Sequence, residues 1–368
     1  MSIALFFLLP AIIACSITPI IRNGARRLRI VDVPERAPDR KMHDEPKPLL
    51  GGLAVFFSFF ILVLLLYLWG VDFSASHIQA KHLLGIFLGS AFLMVGGFLD
   101  DRYRLSPAKQ IIWPILAALV VIASGIGVSY ITNPFGGPLG TEQFRLDAYQ
   151  KILFWFHGWP YKITFLADAF TFFWLLGMMY TTKFLDGLDG LVSGVTIIGA
   201  LIIAALSLDP VVHQRETALL AVLFAGAFAG FLFWNWHPAK IFLGEGGSLF
   251  AGFMLGVLSI VSGSKVATTA LVLGIPILDV LWVIARRLFW ERHSPLLADR
   301  KHLHFRLLDI GLSHRKAVMV LYGLTLYFGI AALFLQSRGK LIAFAILSVS
   351  MLALGSGLVL IRWYKVRH

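Results

Sequence analysis

Lys183-Phe184-Leu185-Asp186-Gly187-Leu188-Asp189-Gly190 closes an apolar stretch that begins near Leu166. Acids at the end of a membrane-length stretch are costly unless they are paired, hydrated or bound to a cation. The feature recurs twice. Asp100-Asp101 ends another apolar run, and Glu245 stands among glycines between two more. If all three loops open on one side of a bilayer, five carboxylates converge there, which is the shape of a cation site. Topology therefore decides how the chain is read.

The chain has 368 residues, 58% of them hydrophobic and 14% charged, with a mean hydropathy of +0.81. That composition describes a polytopic all-α membrane protein. No polar stretch is long enough to form a core of its own, so residues 1–368 read as a single integral membrane domain. One cysteine excludes an intrachain disulfide and a cysteine-based zinc site. The net charge of +12 fits loops lying against anionic lipid, so the bilayer and not nucleic acid is the expected partner. Ile12-Ile13-Ala14-Cys15 resembles a lipoprotein cleavage site, but no basic segment precedes it. The segment is read as the first membrane helix.

Runs of about twenty apolar residues begin at Ser2, Leu50, Leu83, Pro107, Leu166, Leu191, Thr217, Ser248, Ala267, Ala317 and Leu341. They predict about eleven transmembrane helices and termini on opposite sides. Assigning loops alternately puts about three quarters of the 32 Lys and Arg on one side, dominated by the basic loops 22–49 and 287–316. By the positive-inside rule that side is cytoplasmic, the N-terminus is outside and the C-terminus is cytoplasmic. All three acidic loops then face the cytoplasm. The outside loop, 128–165, carries Asn133-Pro134-Phe135-Gly136-Gly137, which predicts a short periplasmic hairpin. Phe154-Trp155-Phe156 and Trp159-Pro160-Tyr161 read as an interfacial aromatic belt or an amphipathic helix.

Asp100 and Asp101 sit at a helix C-terminus, where the dipole disfavours anions. Two carboxylates about 4 Å apart repel by about 4 kcal/mol at an effective dielectric of 20, so a shared proton or a metal fits the pair, as does a solvated helix end. Asp186 and Asp189 are three apart, which on a helical turn puts both on one face; a plain glycine turn with solvated acids fits equally. Ser248 is a candidate cap for the helix after Gly244-Glu245-Gly246-Gly247, a loop whose amides and acid suit a metal-bridged phosphate. His302 and His304, two apart, would converge from irregular backbone beside Arg306 and suit a pyrophosphate or lipid phosphate, or else a basic patch on lipid. Asp279 lies about 10 Å inside the membrane at 1.5 Å per residue, a functional candidate by position. Pro276 just ahead of it could kink the helix.

Taken in order, these motifs resemble the polyprenyl-phosphate N-acetylhexosamine-1-phosphate transferases. The likeness runs from His43-x-x-Pro46-x-Pro48-x-x-Gly51-Gly52 through Gly97-Phe98-Leu99-Asp100-Asp101 with Lys109, and Asp186-Gly187-Leu188-Asp189-Gly190. It continues through Asn235, Pro238-Ala239, the Phe242 to Ser248 loop, Pro276-x-x-Asp279 and Asp299-x-x-His302-x-His304. The segment onward to Ser313 looks like the branch that starts O-antigen, enterobacterial common antigen and teichoic acid linkage units.

The resemblance implies transfer of a sugar 1-phosphate, foremost N-acetylglucosamine 1-phosphate, from a UDP-sugar to undecaprenyl phosphate with release of UMP. It also implies magnesium, with manganese a substitute, and a bacterial plasma membrane location with a cytoplasmic active site; a homodimer is compatible with it. By the same likeness Asp100, Asp101, Asp189 and Glu245 would surround the metal. Asp100, Asp101, Asp186, Asp189, His302 and His304 would be catalytic, and His43, Lys109, Lys183, Asn235, Arg306 and Asp279 would bind substrate.

The chain departs from the family pattern at Lys183, usually Asn, at Glu245, usually Asp, and at Phe305, usually His. Lys183 is expected to pair with Asp186 or to reach a substrate phosphate. The competing readings are the same reaction with another UDP-amino sugar, and a transporter whose acids line a path through both leaflets.

Overall fold

The computed structural model describes residues 2–33, 45–71, 78–136, 143–156, 159–210, 212–263, 266–291 and 302–367. His43 and Asp299 lie outside the described residues. Long helices dominate, because uninterrupted apolar runs leave each backbone amide no partner except its own chain. They are α1 (Ile3–Arg27), α2 (Gly51–Leu68), α3 (Ala80–Tyr103), the short α4 (Pro107–Gln110) leading into α5 (Ile112–Ser124), α6 (Phe165–Leu185), α7 (Leu191–Ser207), α8 (Arg215–Asn235) and α9 (Gly244–Val261). Then come α10 (Val266–Val272), α11 (Gly274–Arg286) running into one π turn, the short α12 (Leu303–Asp309), α13 (His314–Phe334) and α14 (Ser337–Arg367).

Eight of the described helices are long and apolar enough to cross a membrane, and the pair α10 and α11, bent by 78°, makes a ninth. The two remaining predicted runs of the eleven, from Leu191 and from Leu341, also fold as helices. Leu191 to Leu208 folds as the 17-residue α7, shorter than a full span, and Leu341 to Ile361 falls within α14. The bend lies at Leu273, ahead of Pro276, which stands in the first turn of α11, where a missing N–H costs nothing.

The 128–165 region forms the expected hairpin, β3 (Tyr130–Thr132) against β4 (Gln143–Arg145). It also forms a second one, which corrects the amphipathic-helix alternative for the aromatic stretches: β5 (Gln150–Phe156) pairs with β6 (Trp159–Thr164), Trp155 opposite Pro160. Runs rich in aromatic and β-branched residues suit a pleated strand as well as an interface. A third pair, β1 (Val31–Asp32) with β2 (Lys47–Pro48), ties the two ends of the first basic loop.

The bundle is built around α9, which is almost wholly buried and packs against α2, α3, α6 and α7. Phe224 of α8 meets Phe250 of α9 edge to face at 5.4 Å and Phe59 of α2 at 5.6 Å, geometry that favours aromatic pairs. Lipid offers little hydrophobic drive between helices, so close approach at small residues supplies the contact. Gly97 of α3 lies directly on the backbone of Gly246, and Gly52 of α2 on that of Gly247, with no room for a methyl at either. These two contacts bring the ends of α2 and α3 onto the first turn of α9. The start of α2 is pinned there as well: Gly51 and Gly52 donate to the carbonyls of Phe242 and Leu243 at 3.0 and 2.8 Å.

Candidate active site

The three acidic loops meet at one end of the bundle. Asp101, on the last turn of α3, accepts a hydrogen bond from the backbone N–H of Glu245 at 3.3 Å. That interaction satisfies a free amide in the first turn of α9 with a carboxyl oxygen at the positive end of the helix. Gly244 is needed beside it: its φ is +79°, and a Cβ would lie 2.6 Å from Asp101 Oδ2. Ser248 does not cap this helix, as the sequence suggested. It lies inside α9 and donates to the Glu245 carbonyl at 3.1 Å.

Asp100 turns toward the following loop, where Oδ1 accepts from Leu105 N at 2.8 Å and from Gln110 Nε2 at 2.9 Å. Gln110 Oε1 in turn accepts from Lys183 Nζ at 3.0 Å. Lys183, in the last turn of α6, forms an ion pair with Glu245 at 2.5 Å. The expected partner, Asp186, is replaced because a residue in the last turn of α6 faces the α9 contact, while Asp186 already belongs to the turn beyond.

The stretch after α6 is a turn and not a helix, so Asp186 and Asp189 part company instead of sharing a face. Asp186 stays with the other acids and presents an exposed edge to the site. Burial of its carboxyl group, then repulsion from Glu245 and Asp189, raises its pKa to about 7. Since water reaches the exposed edge, the repulsion between fixed acids is the firmer of these causes.

Asp189 is turned the other way. Its Oδ2 lies 2.7 Å from His237 Nδ1 and accepts from Ala239 N at 3.0 Å. The rings of His237 and His314 stack at 4.0 Å, and the ligand atoms of Asp189, His237 and His314 fall within 4.8 Å of one another. A shared ion is still disfavoured. An imidazole offers its lone pair in the ring plane, and two near-parallel planes 4.0 Å apart cannot both contain one cation. The trio is a hydrogen-bonded stack that fixes the loop, and Arg315 adds two bonds to the His237 carbonyl.

Asn235 is buried and fully engaged: Oδ1 accepts from Gly190 N and Ser193 Oγ, and Nδ2 donates to the Ile241 carbonyl. It ties the Asp189 loop to the Glu245 loop.

His302 and His304 arrive as the spacing implied, the first on extended backbone and the second in the opening turn of α12. Their rings are parallel at 5.6 Å, with Phe184 stacked on His302. Asp279 holds this segment, Oδ2 at 2.8 Å from His302 Nδ1 and Oδ1 accepting from Leu303 N at 2.9 Å. His304 is buried against Gly187, and neither ring nitrogen has a hydrogen-bond partner among the described residues. Burial lowers its pKa to about 3, so it is neutral here. Arg306 lies half-buried on α12, and Lys109 is exposed on α4.

The structure thus gathers Asp100, Asp101, Asp186 and Glu245 around Lys183, with the histidine pair beside Asp186. Sequence reasoning missed Gln110, His237, His314 and Arg315. His237 lies within the segment carrying Asn235 and Pro238, whereas nothing in the local sequence marks Gln110. The carboxylate oxygens suit a hard divalent cation. Among the described residues the cation that meets Glu245 Oε1 is the Lys183 ammonium.

Residues 83–263 match the family model described as glycosyl transferase family 4. The chain is 32% identical over 342 residues, 91% of its length and 85% of the relative's, to a Bacillus subtilis protein named "Probable undecaprenyl-phosphate N-acetylglucosaminyl 1-phosphate transferase". It is 33% identical to the decaprenyl-phosphate N-acetylglucosaminephosphotransferase of Mycolicibacterium smegmatis, across 90% of this chain and 80% of that one. Identity to the phospho-N-acetylmuramoyl-pentapeptide-transferase of Bacillus velezensis is 25%, over 88% and 95% of the two chains.

Proposed function

Since the chain belongs to glycosyl transferase family 4, we propose that it transfers N-acetylglucosamine 1-phosphate from UDP-N-acetylglucosamine to undecaprenyl phosphate. A lipid phosphate oxygen attacks the sugar-bearing phosphorus, the bond to the uridine-bearing phosphate breaks, and UMP leaves. The observation that carries this reading is the meeting of four carboxylates and Lys183 at the ends of apolar helices, beside a buried histidine pair. A polyprenyl chain can stay in the bilayer while its phosphate enters such a site. The transporter alternative called for acids spaced along a path, whereas these cluster at one end.

Asp100, Asp101 and Glu245, with Asp186, would hold a divalent cation, magnesium by donor type, which would neutralise charge developing on the diphosphate. The protein's own groups orient the reactants. Asp279 fixes the His302 imidazole with Nδ1 engaged, leaving Nε2 to meet a phosphate oxygen or its proton. Asp189 and Asn235 hold the loops on which Asp186 and Glu245 stand. The acidic end faces the cytoplasm, where the nucleotide sugar is made, in a bacterial plasma membrane.

The test is purified full-length protein with undecaprenyl phosphate, magnesium and UDP-N-acetylglucosamine labelled in the sugar. UMP together with a lipid-linked sugar is the expected outcome. UDP as the sole nucleotide product would mean ordinary glycosyl transfer and would overturn the mechanism. Replacing the donor by UDP-N-acetylgalactosamine separates the two amino-sugar readings.

A further inference from the structure

We propose that Lys183 and Glu245 are an exchangeable charge pair that sets the divalent-cation affinity of the site. Without a cation the ammonium occupies Glu245; a bound cation takes the carboxylate and frees the ammonium for the diphosphate of the nucleotide sugar. The inference rests on the proposed transferase reading only for the identity of that diphosphate.

The residues are the two departures from the family pattern in Lys183-x-x-Asp186 and Gly244-Glu245-Gly246, far apart in sequence and 2.5 Å apart in space. Each is intelligible through the other. An ammonium at the end of α6 needs a counter-ion, and the longer glutamate extends the carboxylate from α9 toward it. The ammonium is held within the protein by Glu245 Oε1 at 2.5 Å, Gln110 Oε1 at 3.0 Å and the face of Tyr180 at 5.5 Å. Release from Glu245 would free its charge for a substrate phosphate.

Its contact with Glu245 is an ion pair whose side chains are 19% and 16% exposed, so a competing cation has access to the carboxylate. Gln110 gives the freed lysine a second anchor and couples it to Asp100, whose Oδ1 accepts from the same amide. The charged groups facing the pair are Asp100, Asp101 and Asp186, all acidic. A carboxylate in this setting attracts either the ammonium or a cation, since the two positive charges repel when they share it.

The experiment measures Mn2+ binding to full-length protein in lipid nanodiscs, by calorimetry and by the free-ion electron paramagnetic resonance signal, with no nucleotide or acceptor present. Lys183→Met is expected to bind Mn2+ at least roughly fivefold more tightly than the unmodified protein, a change within the ordinary range of coupling between sites. Lys183→Arg, which keeps the charge, is expected to bind Mn2+ like the unmodified protein. In a Glu245→Gln background Lys183→Met should produce little further change, because its target is gone. The proposal is overturned if Lys183→Met leaves Mn2+ affinity unchanged or lowered. It is equally overturned if the gain is the same with and without Glu245, which would make Lys183 a distant charge only. Should Lys183→Met not purify as a folded protein, Lys183→Asn carries the same expectation. Turnover is not read, so failure of the transfer assay and failure of this pair are separate results.

Discussion

Asp279 Oδ2 lies 2.8 Å from His302 Nδ1, and both residues are buried. A carboxylate only accepts hydrogen bonds, so this contact fixes the imidazole with a proton on Nδ1 and with Nε2 directed away from Asp279. Asp279→Asn presents an amide that can hold the ring in the other tautomer. The expected result is a kcat lower by about 10²-fold or more, with the KM for UDP-N-acetylglucosamine within about threefold, a margin set by ordinary context dependence. A change in KM alone would make Asp279 a binding residue and leave His302 untuned.

Asp186 gives the cation-free protein a pH dependence of definite sign. Its pKa rises from 3.8 to about 7 on folding, so the folded state holds the proton more tightly than the unfolded chain. The associated stability is fully present below the unfolded pKa and is lost as pH rises through the folded one. In EDTA, Tm should fall between pH 4 and about 7.5, and Asp186→Asn should flatten that fall. Cation binding expels the same proton, so magnesium affinity should increase across this window. Identical Tm curves for Asp186→Asn and the unmodified protein would remove the assignment.

Gly187→Ala should displace the His302–His304 segment. A methyl there would meet His304 Nε2 inside van der Waals contact and lie 3.1 Å from Phe305 Cζ. Overpacking of this kind costs about 1–3 kcal/mol, read as a lower Tm together with reduced kcat. Gly177→Ala in α6, where nothing lies within 4 Å of the added methyl, is the matched substitution that should change neither.

Gly97→Ala tests how α3 and α9 come together. The added methyl would occupy the position of the Gly246 backbone, which cannot yield as a flexible side chain does. Separation of the two helices would break the contact of Asp101 with Glu245 N. Loss of monodisperse protein, or a folded protein with Mn2+ affinity reduced at least about tenfold, is expected. Unchanged affinity in a folded variant would detach the cation site from this helix contact.

Hydropathy and charge, read along the chain, determined that this is a polytopic helical membrane protein with acids in three loops. The Asn133-Pro134 turn likewise announced its hairpin, and the His302-x-His304 spacing announced irregular backbone. Each of these is a local property, fixed by what neighbouring residues do to one another and to lipid. Tertiary structure decided which charges meet. Lys183 pairs with Glu245 and not with nearby Asp186 because Gly252 of α9 lies against the Met178 carbonyl and Thr182 of α6, which seats the last turn of α6 on the first turn of α9. Asp189 leaves the acid cluster for His237 because the backbone after α6 turns instead of continuing as helix, with Gly190 at φ +79°. Gln110 joins the site by lying between Asp100 and Lys183. Electrostatic partners are selected by distances of a few ångströms between separate elements, and no local pattern in the sequence encodes those distances.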